Sequence, residues 1–405
     1  MTERASRKGP PEQARRREVL ERTRHRKMAR SAHAFVRGNT EAFYAALGSM
    51  ASPSVPLGPP VWICGDCHVG NLGPVGSADG SIRIQIRDLD QTVIGNPAHD
   101  LIRLSLSLAS AARGSNLPGV TTARMVEAVI DGYEAAFAGD VDADADPKQP
   151  KVVRVVMKKA ATRTWRHLAE ERLQNARPSI PLGKRFWKPT KLERTAIAAV
   201  FEDPDVARLA TMARARDDDA NVKVIDAAYW MKGCSSLGRL RFAVLLKVTS
   251  GPDEDLCLVD VKEAVRSAAP PTEGAHMPAK AAARVVAGAR HVSPFLGERM
   301  RATEMLGRQV VVRELLPEDL KVEIERLTTD QAVRAARFLA AVVGQAHARQ
   351  MDASTRAAWC AELGRHRTKT LDAPSWLWAT VVDLLVRHEG DYLEHCRKYA
   401  LTSVG

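Results

Sequence analysis

The chain has 405 residues, of which 45% are hydrophobic and 27% charged, and carries a formal net charge of +12. This length exceeds one ordinary domain, and the composition is close to that of folded soluble proteins, so two or three units with a sizeable buried core are expected. No run of about 18 uninterrupted apolar residues exists and no apolar stretch follows the basic start, which argues against a membrane span and a secretory signal and leads to the expectation of a cytoplasmic protein.

Residues 1 to 40 hold twelve Lys or Arg against four Glu, so two thirds of the excess charge sits in a tenth of the chain. Such a segment can bind nucleic acid or acidic surfaces. No aromatic residues interleave the charges for base stacking, and a solvated helix face is the plainer reading. A mostly helical stretch is expected over 12–47 with Gly38 interrupting it, followed by a Pro-rich connector at 52–60. A short apolar strand, VWIC (61–64), runs into CGDCHVGNLG, and a turn at 77–80 leads to SIRIQIRDLD, where Ile82, Ile84 and Ile86 alternate with polar residues as in a half-buried strand.

Helices are expected at 101–113 and 122–139. The acidic run at 140–147 mimics a calcium loop but lacks Gly at its sixth position and Glu at its twelfth, so it reads as a solvated loop. Helical segments follow at 151–175 and 190–215, then a polar boundary at 214–221. RFAVLLKV (241–248) and LCLVDVKEA (256–264) form a hairpin across SGPDED, preceded by a glycine-containing turn, WMKGCSSLGRL. A helix at 278–291, a strand VVVREL (310–315), an amphipathic helix at 330–350 and helices at 353–371 and 375–399 complete the chain. His99 and His347 receive no chemistry, and the aromatics of RFWKP (185–189) read as core packing rather than as an acceptor site.

Six cysteines without an export signal argue against a disulfide framework, and Cys234, Cys257, Cys360 and Cys396 stand singly as small hydrophobes. Only Cys64 and Cys67 form a pair. Its C-x-x-C-H pattern matches covalent haem attachment, but that chemistry needs export. Zinc needs four ligands, and only Cys64, Cys67 and His68 are at hand. A thioredoxin-like role needs a βαβ context that is not apparent.

The acids suggest a different chemistry. Phosphoryl transfer from ATP needs a carboxylate to orient the acceptor hydroxyl and oxygen ligands to hold magnesium. Asp66 in a loop, Asn71 five residues later and Asp88 after the next strand supply that set, with the same Asp-to-Asn spacing as the kinase catalytic loop. CGDCHVGNLG resembles the H-G-D-x-H-x-x-N loop of aminoglycoside and choline phosphotransferases, with Cys64 where His is usual, and IRDLDQTVIGNPAHDLIRL resembles the continuation of that motif. Over roughly 27–350 the chain is still more similar to the bacterial domain of unknown function 2252, through KMARSAHAFVRG (27–38), CGDCHVGNLG and RDLDQ.

The resemblance implies an α+β, two-lobed, protein-kinase-like fold, circularly permuted, with a mainly helical large lobe and a small antiparallel-sheet lobe. Its expected segments are a basic helical arm (1–50), a large-lobe core (51–222), a small nucleotide-binding lobe (223–326) and C-terminal helices completing the large lobe (327–405). It implies ATP and Mg2+ as cofactors and an unidentified hydroxyl-bearing acceptor. Asp66 takes the catalytic position, Asn71 and Asp88 the metal positions, and His68, Asp90 and Asp100 support the site, Asp100 by bracing the loop from a helix start. The lid is Gly233-Cys234-Ser235-Ser236-Leu237-Gly238, with Ser235 in place of a glycine. Lys262 is the phosphate lysine, preferred over Lys247, and the backbone of Glu314 and Leu315 faces the adenine. The glutamate expected to pair with the lysine is replaced by Ala287, leaving Glu298 and Glu263 as substitutes. Alternatives are AMP transfer on the same fold, a nucleotide-binding pseudokinase, or a nucleic-acid-associated regulator acting through the basic arm.

Overall fold

The computed structural model describes residues 13–50, 55–115, 117–138, 149–162, 178–212, 220–234, 237–315, 323–365 and 373–399. In chain order these form α1 (Gln13–Met28), α2 (Ala32–Gly38), α3 (Thr40–Ser49), β1 (Val61–Ile63), β2 (Leu72–Gly76), β3 (Ile82–Ile86), β4 (Val93–Gly95), α4 (Ala98–Arg113), α5 (Gly119–Ala138) and α6 (Lys151–Thr162). There follow β5 (Phe186–Trp187), α7 (Lys191–Val200), α8 (Pro204–Ala207), β6 (Asn221–Trp230), β7 (Arg241–Ser250) and β8 (Asp253–Glu263). The remainder are α9 (Ala281–Val292), α10 (Pro294–Glu298), β9 (Met300–Met305), β10 (Arg308–Glu314), α11 (Thr329–Ala348), α12 (Ala353–Gly364) and α13 (Ser375–Tyr399). The expected mixed α+β class is observed.

A six-stranded antiparallel sheet runs in the order β5-β6-β7-β8-β10-β9. Period-two alternation sorts its side chains. Phe242, Val244, Leu246 and Val248 of β7, Cys257, Val259 and Val261 of β8, and Val310 and Val312 of β10 form one face, covered by Ile197 and Val200 of α7 and by Leu20 of α1. The other face carries Ala228, Trp230, Ala243, Leu245 and Leu315, packed with Ile180 and Phe186. At the end of that second face the register sets Arg241 opposite Lys262 and Arg313 opposite Asp260. Asp260 is fully buried and accepts a bidentate pair from Arg241 at 2.9 and 2.6 Å.

The second core is helical. It holds α4, α5, α11 and α13 with the two-stranded pairs β1-β4 and β2-β3, and α9 also packs into it. Every side chain of α4 from Asp100 to Ala112 is buried, as expected of an apolar helix running through a core. Its single internal charge, Arg103, therefore requires a buried partner.

Helices α5 and α11 approach so closely that a Cβ on Gly132 would lie 2.0 Å from the Arg337 carbonyl oxygen. Gly132→Ala is thus expected to force the helices apart and cost ~1–3 kcal/mol by overpacking. A thermal melt checks this, and an unchanged midpoint would show that the helices give way freely.

Two expected boundaries are corrected. The sheet unit begins near 178 instead of 223, because β5 pairs with β6 and α7 covers the sheet. The described part of 1–50 packs on both neighbouring units, two of its cations being held by the sheet unit. Arg16 of α1 binds Glu193 of α7 at 2.6 Å and stacks over Tyr229 at 4.3 Å, while Lys27 donates to the Gly233 carbonyl at 2.8 Å. The other side of α1 meets α13, where the His25 ring stacks on Tyr399 at 3.8 Å. The acidic run at 140–147 and the ends of the helices expected at 151–175, 190–215 and 353–371 lie outside the described residues. Among the described residues no helix is long and apolar enough to cross a membrane.

Candidate active site

Strand β1 delivers the chain into the loop 64–71, which turns sharply at Gly65 with φ +73. A Cβ at that position would sit 2.2 Å from the Gln91 carbonyl oxygen, so glycine is required. Asp100, in the first turn of α4, accepts the backbone N–H groups of Cys64 at 2.7 Å and Gly65 at 2.9 Å. The loop is further hung from α4 through Val69 N–H to Ser107 Oγ at 3.2 Å. Asn71 Nδ2 donates to the carbonyls of Asp66 at 2.9 Å and Asp88 at 3.4 Å. Because only the amide nitrogen can donate to a carbonyl, these bonds fix the Asn71 side chain with its oxygen turned away from both.

Lys262 arrives from β8, 174 residues beyond Asp88 in the chain. Its Nζ lies 3.0 and 3.3 Å from the two oxygens of Asp88 and 2.6 Å from Asp90 Oδ2. Burial pushes the Asp88 carboxyl upward, but the charges of Lys262, Arg313 and Arg241 outweigh it and hold the group well below the usual carboxylate range. Asp90 shifts the other way, raised by burial and by the negative charge of Asp88 against the pull of Lys262. Lys247, the alternative lysine, pairs instead with Glu254 along the hairpin, away from these acids.

Lys262 is thus paired with two aspartates two residues apart, and with neither Glu298 nor Glu263. Glu298 is exposed. Glu263 lies on the opposite face of β8 and accepts the Leu240 N–H at 2.8 Å. Helix α9, which carries Ala287, reaches the site through Arg284, whose guanidinium donates to the carbonyls of Asp90 and Val265 at 2.9 Å each.

Asp66 is buried with one oxygen bound to Arg103, at 2.9 Å from Nε. Burial raises its carboxyl, as does Asp88, while Arg103 pulls it down. Arg103 also donates to the Val36 carbonyl at 2.7 Å, tying α2 to the loop. The second Asp66 oxygen faces His68 Nε2 at 3.9 Å, too far for a hydrogen bond. Burial and the charges of Arg37 and Arg103 press the His68 imidazole well below its ordinary range, so it is neutral at neutral pH and adds no charge to the loop.

The structure thus brings Asp66, Asn71, Asp88, Asp90, Asp100, His68 and Lys262 together. Gly233 and Gly238 have left-handed φ values of +85 and +99, as a tight turn demands, whereas Ser235 and Ser236 lie outside the described residues. The expectation for Glu314 and Leu315 is corrected. The Glu314 carbonyl accepts from the Arg299 side chain at 3.1 Å, and the Leu315 N–H continues the β10–β8 ladder to the Leu258 carbonyl at 2.8 Å. Sequence reasoning missed Arg103. Its signal was a lone charge inside the apolar run LIRLSLSLASAAR.

Cys64 and Cys67 are buried free thiols beside Asp100, their ligand atoms and that carboxylate lying within 4.8 Å of one another. Burial drives the Cys64 thiol well above its usual value. The hydrogen bond with Cys64 pulls Cys67 down, but burial and the neighbouring carboxylates raise it overall. Both oxygens of Asp100 already accept amides. The pair is packing beside the loop.

The family described as "Uncharacterized protein conserved in bacteria (DUF2252)" matches residues 16–398, nearly the whole chain. The chain belongs to the DUF2252 family. No curated protein and no solved structure matches it. The match takes in every element that positions the site in this DUF2252 member, from α1 to α13.

Proposed function

We propose that the protein is an ATP- and Mg2+-dependent phosphotransferase acting on a hydroxyl acceptor, built as a two-lobed kinase-like fold in permuted order. The observation that carries this reading is the salt bridge from Lys262 Nζ to Asp88, joined to the Asn71 amide that grips the backbone of both Asp66 and Asp88. A cation from β8 meets the Asp88 carboxylate 174 residues away, and Asn71 ties the backbone of Asp88 to that of Asp66. Permutation is supported by Gln350, just past α11, which exchanges hydrogen bonds of 2.8 and 2.9 Å with the backbone of Trp62 on β1, 288 residues earlier.

The donor set fits magnesium, a hard cation that takes oxygen ligands. The Asn71 oxygen and the Asp88 carboxylate would hold it. Asp88 stays ionised and keeps 44% of its side chain exposed even while Lys262 is bound. Magnesium would supply neutralisation of the phosphate charge. Lys262 would orient the α and β phosphates, the Gly233–Gly238 turn would cover them, and the second oxygen of Asp66 would align the acceptor hydroxyl.

Mg-ATP is expected to raise the melting temperature of the intact protein, and Lys262→Ala and Asp88→Ala are each expected to abolish that rise. A rise of wild-type size in both variants would remove the nucleotide from this site. Arg103, which holds one oxygen of Asp66, favours a second reading as a nucleotide-binding regulator without transfer. Label from γ-labelled ATP appearing on an acceptor or as phosphate supports phosphotransfer, label from α-labelled ATP supports AMP transfer, and neither supports the regulator.

A further inference from the structure

We propose that His347 is a positioning residue for the loop that carries Asp66, supplying from α11 the imidazole that Cys64 does not. This inference rests on the phosphotransferase reading for its consequence in turnover, though its geometry stands alone. His347 Nε2 lies 3.2 Å from Asp100 Oδ2, and its Nδ1 lies 2.9 Å from the Tyr133 hydroxyl of α5. Trp359 of α12 donates its Nε1–H to the same hydroxyl at 3.1 Å. Tyr133, His347 and Asp100 are completely buried and Trp359 nearly so.

The chemistry of the end groups sets the direction at both ends of this chain. An indole nitrogen can only donate, so the Tyr133 oxygen accepts from Trp359, and its own proton is free to go to His347 Nδ1. An ionised carboxylate can only accept, so His347 carries its proton on Nε2 and gives it to Asp100. Both ring nitrogens of His347 are thereby engaged, which fixes the imidazole in one orientation. Burial keeps the Tyr133 hydroxyl protonated, raising it well above its ordinary value. Asp100 passes the constraint on, because its oxygens receive the amides of Cys64 and Gly65, the two residues that precede Asp66.

The relay depends on close helix contact. Gly344 lets α11 settle on α5, since a Cβ there would meet the Tyr133 carbonyl oxygen at 2.7 Å. Asp100 and His347 are 247 residues apart, so the arrangement is not a local turn preference. Cys64 Sγ and the Asp100 carboxylate lie within 4.8 Å of each other. A histidine at 64 would reach the same carboxylate once the imidazole of His347 is removed.

The test uses the full chain and three variants, His347→Ala, Tyr133→Phe and the double variant Cys64→His/His347→Ala. Amide hydrogen exchange of the segment 64–71 is expected to speed up by roughly tenfold in the first two, one lost hydrogen bond's worth. ATP turnover is expected to fall ~100-fold in kcat through misplacement of Asp66, with KM for ATP near the wild-type value because Lys262 is untouched. The double variant is expected to recover most of both losses. Unchanged exchange in His347→Ala and Tyr133→Phe, or a double variant no better than His347→Ala, overturns the proposal. If the wild-type protein neither binds nor turns over Mg-ATP, the phosphotransferase reading falls, and the exchange and its rescue still decide the relay.

Discussion

Asp100→Ala is expected to destabilise the protein by ~3–5 kcal/mol, more than any exposed substitution. The carboxylate accepts the amides of Cys64 and Gly65 and the His347 imidazole, all within a solvent-free region. Alanine strands three donors at once, and each unsatisfied buried group costs about 1–3 kcal/mol. Partial collapse of the loop recovers some of that sum. Asp100→Asn is expected to do less harm, because one oxygen survives, though its NH2 then opposes a donor. Urea unfolding with an unchanged m-value measures both variants. A loss below about 1 kcal/mol in Asp100→Ala would mean the loop does not hang from α4.

Arg103→Met is expected to cost a similar amount at neutral pH, about 3–5 kcal/mol, by leaving a buried Asp66 without its cation. This loss carries a pH signature. Asp66 is already raised by burial, and removing Arg103 removes the charge that opposes the rise. A carboxyl whose folded value lies above its unfolded value of about 3.9 binds its proton more tightly when folded. Stability therefore falls as pH climbs through the interval between the two values, and the deficit of the variant is greatest above it. As pH drops toward 4 the gap to wild type should narrow. Asp88, held low by Lys262, titrates in the opposite sense in both proteins and cancels in the difference. A deficit independent of pH would show that Arg103 serves packing alone.

The fold was legible where local pattern and burial agree. Ile82, Ile84 and Ile86 alternate and form β3, the runs at 241–248 and 256–264 form β7 and β8, and the helix expected at 330–350 is α11. Strand β9 was missed. Its sequence, MRATEM, is half exposed at a sheet edge and lacks the apolar alternation of a covered strand. The loop residues were legible because their spacing is local. The partners were not, since Arg103 and His347 act through contacts that only the tertiary structure creates. Asp90 was legible as a support of the site, but nothing in the run DLD tells which carboxylate a distant lysine will meet. The charge of α1 was misleading for a related reason, as composition records Arg16 and Lys27 but not that Glu193 and the Gly233 carbonyl await them.

The 247 residues between Asp100 and His347 also set a timetable for synthesis. At roughly 5–20 residues per second, a ribosome needs some 12–50 s to make that interval. Throughout it the nascent α4, whose side chains end up sealed on every side, has no α11 to lie against. Transiently exposed apolar helix is the aggregation hazard of such an interval, and slower translation lengthens it.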